Sequence, residues 1–203
     1  MSQCLTFPLL VFLAGIVSAL FHEFGHCVFY WLQGIPAAMS LVKEYPLRDI
    51  TAHEYAVGSV GGPLASLLAL TMSAWFLGRR ATGQRAKPAL SALVLASVFY
   101  FVLRGLIAVV KRSGGELEDI AGLVGLDYRA MVVLYAIIVA GALFYYVKVA
   151  GMRVGLFTTG SFLALFVGYV FVLVSVETLD ASLFWERFPA IQIDDGRTYN
   201  PHR

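Results

Sequence analysis

Ser18-Ala19-Leu20-Phe21-His22-Glu23-Phe24-Gly25-His26-Cys27-Val28-Phe29-Tyr30-Trp31-Leu32 decides how this chain is read. The stretch is apolar almost throughout, yet it carries two imidazoles and a carboxylate. On a helix, His22 and His26 stand one turn apart on one face. Two histidines so placed can bind one zinc ion, with Glu23 beside them as general base. Ionisable groups are costly in hydrocarbon, and those found there usually mark a functional site. A buried histidine pair without a metal would need other polar partners. The motif therefore predicts a zinc centre, and its flanks predict a membrane.

Composition agrees with the flanks. Of 203 residues, 59% are hydrophobic and only 14% charged, with a mean hydropathy of +0.77. Soluble domains run nearer 45–50% apolar and about 25% charged. The net charge of +2 gives no reason to expect a nucleic-acid partner. Cys4 and Cys27 make neither a disulfide framework nor zinc-finger spacing. Cys27 follows His26 directly, so on a helix it points about 100° away and reads as a small buried thiol. No Lys or Arg precedes the first apolar run and no clean small-residue cleavage site precedes the motif, so that run reads as a retained span rather than a signal peptide.

Five segments approach the roughly 20 apolar residues a spanning helix needs. They are Pro8–Leu32, Tyr55–Leu77, Ala89–Val110 (interrupted by Arg104), Ala130–Val147 and Gly155–Val176. The expected fold is an all-α polytopic membrane protein. Its membrane domain covers 1–176, its core about 9–126, and 177–203 form a polar C-terminal tail. Gln33–Glu54 contains Gly34, Pro36 and Pro46 and is not one helix. An extended piece of it could pair with a substrate. After Ser113-Gly114-Gly115, apolar positions 117, 120, 121, 123, 124 and 126 suit a short helix with Glu116, Glu118 and Asp119 at its start. Those acids also suit the helix dipole. Arg79, Arg80, Arg85 and Lys87 crowd one short loop, which the positive-inside rule places in the cytoplasm together with the N-terminus.

A catalytic zinc normally takes three protein ligands and keeps one position open. His53 and His202 lie in a loop and in the tail. The better candidates for the third ligand are Glu116 and Asp119, three apart and on one helical face, with one of the two expected to serve. Gly58 and Gly62 form GxxxG, which lets two membrane helices approach closely, here the second span and the HEFGH helix. Arg104 either ends its span or pairs with one of the acids.

HEFGH followed by Gly34, and Gly62-Pro63-Leu64-Ala65 opening the next span, resemble the site-2 protease-like intramembrane zinc metalloproteases. The resemblance covers about residues 9–126. It implies a three-helix core with HExxH on the first helix and an Asp ligand on the third. It also implies His22 and His26 as zinc ligands, Glu23 as catalytic acid/base, and cleavage of membrane protein substrates in or near the lipid bilayer. The chain departs from the family in three respects. Ser66 stands where relatives often carry Asn, the third motif lacks its Asn-Pro and Asp-Gly, and the only Asn is Asn200. Relatives also point the end of the HExxH helix toward the cytosol, opposite to the charge-based orientation. Two other functions fit the same residues: a non-catalytic metal-binding scaffold or chaperone, and a zinc hydrolase acting on a lipid-like substrate.

Overall fold

The structure, a computed structural model, describes residues 3–40, 43–79, 89–99, 115–150 and 190–199, with Ser175, Leu179 and Phe188. The described chain is mostly helical. Helix α1 (Gln3–Leu32) leads into a hairpin of β1 (Ala37–Met39) and β2 (Glu44–Pro46), then α2 (Ala52–Gly78). A shorter apolar helix α3 (Ala89–Phe99), α4 (Glu116–Val124) and α5 (Tyr128–Ala150) follow, and β3 (Ile191–Gln192) pairs with β4 (Thr198–Tyr199). Beside the helices, the described residues form two short antiparallel hairpins. The first fills the stretch whose glycine and prolines exclude a helix, with Ala37, Ala38 and Met39 opposite Pro46, Tyr45 and Glu44. The second falls within the polar tail. Its signal is Asp195-Gly196 following Ile191-Gln192-Ile193, with Gly196 at φ 89° where a side chain would be strained.

Two helices are long and apolar enough to cross a membrane, at Leu9–Leu32 and Ala52–Gly78. The pair Glu116–Val124 and Tyr128–Ala142 passes only together, bent by 110° at the break between them. The described residues thus hold two candidate spans, or three with the bent pair counted as one. The rest of the expected third span with Arg104, most of the fifth, the basic loop beyond Arg79, and His202 lie outside the described residues.

Local chemistry sets the ends of these helices. Thr51 caps α2 through a reciprocal box: its hydroxyl accepts from the Glu54 amide at 3.1 Å, and its own amide donates to the Glu54 carboxylate at 2.7 Å. Gly115, at φ 146°, opens α4, and Gly125, at φ 67°, closes it in the left-handed conformation. The Leu126 amide then returns to the Ala121 carbonyl at 2.9 Å, and Asp127 starts α5 by accepting from the Arg129 amide at 2.8 Å.

Polarity across α1 is reversed relative to a soluble helix. Ser18, His22, Glu23 and His26 are buried, whereas Leu13, Val17, Phe21 and Phe24 are exposed along the other side. On α2 the buried set includes Gly58, Gly61, Gly62, Ser66 and Ser73, and Leu64, Leu68, Met72 and Trp75 face outward. A polar interior beneath an apolar exterior is what a lipid solvent favours. Leu70, Ala74 and Leu77 of α2 pack with Val94 and Val98 of α3 and Val139 of α5. A second cluster joins Tyr30, Ile35, Tyr45 and Ile50 to Ile191 and Ile193 of the C-terminal hairpin.

Candidate metal centre

The close crossing of α1 and α2 builds the site. Gly25 and Gly61 meet backbone to backbone, so a Cβ on either would overlap the other's main chain. Gly58 lies against the Tyr30 ring, and Gly62 lies directly beneath both imidazoles. The GxxxG pair read from the sequence is therefore in contact with the histidine helix, and Gly25, inside the HEFGH motif, is its counterpart. The sequence reading missed the Gly25–Gly61 contact.

Each histidine is oriented by α2. His26 Nδ1 lies 2.8 Å from the Gly58 carbonyl, which can only accept. The Gly62 amide also points at Nδ1, from 3.3 Å, but the nearer carbonyl draws the proton to Nδ1 and leaves the lone pair on Nε2. His22 Nδ1 lies 2.9 Å from the Ser66 hydroxyl, which can accept in the same way. Ser66, noted in the sequence only as a departure from an Asn, thus holds the first histidine. Both Nε2 atoms then converge, 3.1 Å apart, with the rings edge to face.

Glu116 completes the cluster from the first turn of α4. Its carboxylate lies 3.3 Å from His22 Nε2 and 3.7 Å from His26 Nε2. A four-coordinate ion with ligands at about 2.0–2.1 Å spaces neighbouring donor atoms about 3.3 Å apart. The separations among His22, His26 and Glu116 bracket that value, and their donor atoms all lie within 4.8 Å of one another. These three side chains could hold a metal ion with one face left for a further ligand.

Of the two acids weighed from the sequence, the structure brings Glu116 to the imidazoles. Asp119, one turn on, instead accepts from Arg197 at 3.0 Å. Arg197 also bonds Asp195 at 2.7 Å, and although its partial burial opposes the charge, the two carboxylates hold the guanidinium firmly protonated. Glu118 and His53 are exposed and, among the described residues, belong to no metal-sized group.

Glu23 is buried in the same region, 1% exposed. A further group of metal-binding size comprises Glu23, His26 and Glu44, again within 4.8 Å. It shares His26, whose Nδ1 is already committed to Gly58, and one lone pair on Nε2 serves one ion. The two groups therefore describe one centre with additional carboxylates around it. Glu44 comes from β2, and no motif marks it in the sequence. Its main-chain carbonyl accepts from the Tyr199 hydroxyl at 2.9 Å, and burial keeps that phenol well above its ordinary pKa and thus a donor. On the other strand, Cys27 and Trp31 of α1 donate to the carbonyls of Ala38 and Ala37 at 3.4 and 3.2 Å. The hairpin is thereby fastened along the histidine helix.

Comparison of the chain with protein-family models, with curated proteins and with solved structures gives no match.

Proposed function

We propose that this protein is a multi-pass membrane zinc metalloprotease, similar to the site-2 proteases, that hydrolyses peptide bonds of membrane protein substrates in or near the bilayer. One observation carries the reading. Two imidazoles on a helix of spanning length, each with its Nδ1 held by α2, converge with a carboxylate from the short helix α4, and a buried glutamate lies adjacent. A donor set of two nitrogens and one carboxylate oxygen suits zinc. Zinc, when bound, supplies Lewis acidity and acidifies water toward a pKa of about 7.

The chain's own residues would do the rest. His22, His26 and Glu116 hold the ion, while Ser66 and the Gly58 carbonyl fix the two rings. Glu23 takes a proton from the attacking water and passes it to the leaving amine. Strand β1 contributes an extended edge. Ser40 pairs with Lys43 and Leu47 with Pro36 across the hairpin, so the main-chain groups of Met39, between those rungs, turn away from β2. A substrate segment unwound from its helix would pair there at Met39, next to the Ala37 carbonyl that already accepts from Trp31.

The test is reconstitution in liposomes with a fusion substrate carrying one transmembrane segment. Cleavage should be lost to a zinc chelator and restored by stoichiometric zinc, with no release of fatty acid from the lipid. Chelator-sensitive lipid hydrolysis without peptide cleavage would favour the lipid-hydrolase reading. Zinc binding with neither reaction would favour a scaffold.

A further inference from the structure

Arg197 reaches into the fold from the C-terminal hairpin, and the cluster it touches is larger than one ion pair. Its guanidinium is 3.0 Å from the Asp119 carboxylate on α4 and lies over the Tyr55 ring of α2, 5.1 Å from its centroid. Asp119 is one turn from Glu116 on the same face of α4. Tyr55 is three residues before Gly58, whose carbonyl orients His26. One side chain therefore ties the helix that presents the third ligand to the helix that orients the second.

The hairpin is built to hold that side chain still. The Arg197 carbonyl accepts from the Ile193 amide at 2.8 Å, and its amide donates to Asp195 at 3.0 Å. The Asp194 carboxylate accepts from the Ala52 amide at 2.6 Å, at the start of α2, and the Gln192 amide donates to Asp49 at 2.8 Å. Ile193 bridges Ile50, and both are buried. Glu116, by contrast, is the first residue of α4, where a helix frays most easily. Two acids on one face could also present either carboxylate to the imidazoles if α4 turned about its axis.

We propose that Arg197 is a positioning residue for the metal centre: by holding Asp119 it fixes the rotation of α4, so that Glu116 meets His22 and His26. The inference rests on the metal reading above and adds to it a dependence on the C-terminal hairpin. The Asp119 side chain is only 11% exposed and that of Arg197 48%, so losing the pair also costs some folding stability. The reading that isolates positioning is metal affinity, measured beside melting temperature. Outer partners of metal ligands typically change affinity 10–100-fold.

The experiment measures zinc affinity of the full chain in detergent, by competition with a chelator of known affinity, in a double-mutant cycle. Arg197→Ala should weaken zinc binding roughly tenfold, and Asp119→Asn, which breaks the same pair from the other end, should match it. Arg197→Lys should recover most of the loss. In a Glu116→Ala background, Arg197→Ala should change the residual affinity little, because the residue through which it acts is gone. Unchanged affinity in Arg197→Ala, or an equal loss with and without Glu116, overturns the proposal, the second result showing a general structural role. A wild-type chain that takes up no zinc defeats the metal reading itself, and this inference with it.

Discussion

Glu23→Gln is expected to keep its zinc and lose about 10²–10⁴-fold in cleavage rate, the range a positioned general base contributes. Gln has the shape of Glu but cannot take a proton. Glu23 is buried beside His26 and Glu44, and the proposed ligand set His22, His26 and Glu116 does not need it. Gln also keeps the volume of Glu and an accepting oxygen, so packing around position 23 should be retained. Single-turnover cleavage of the reconstituted substrate, with zinc content measured on the same sample, separates chemistry from metal loss. A Glu23→Gln protein that cleaves as fast as wild type would remove the acid/base role and with it the proposed mechanism.

Gly62→Ala should be nearly as damaging, by a different route. A Cβ at this position would lie 2.6 Å from His22 Nε2 and closer still to His26 Nε2. The rings cannot simply turn aside, because His22 would leave Ser66 and His26 would leave the Gly58 carbonyl. Zinc affinity should fall at least about 100-fold, the upper end of what disturbed outer partners cost. Gly122→Ala is the control: it sits in α4, and an added Cβ there meets nothing within 4 Å. Ala is also the better helix former. Chelator competition on the two variants reads the contrast directly, and equal affinities would mean that the crossing of α1 and α2 does not shape the centre.

The parts of this arrangement that follow a local rule were legible in the sequence. HEFGH announces itself by i, i+4 spacing, and the short helix after the Gly-Gly break follows from its apolar period. Gly58 and Gly62 showed a helix contact because small residues at that spacing have one main use in a membrane. The choice between Glu116 and Asp119 was not legible. Both lie on one face, and what separates them is Arg197, 78 positions from Asp119. Glu44 was invisible for the same reason, since a lone acid in a loop has no periodicity to read. The C-terminal hairpin was read as polar tail because its strands are two residues each. Its order comes from contacts to Ile50, Ala52 and Glu44, which belong to a distant part of the chain. Ser66 was noticed for what it was not. Its place on His22 emerges only when α1 and α2 are brought together.

The most direct test of the whole account is metal content at saturating zinc, by elemental analysis of the purified full-length protein and four variants. The account predicts about one zinc per chain in wild type and in Asp119→Asn, and zinc well below one per chain in His22→Ala, His26→Ala and Glu116→Ala. Zinc retained in Glu116→Ala but lost in Asp119→Asn, or no zinc in wild type, would contradict it.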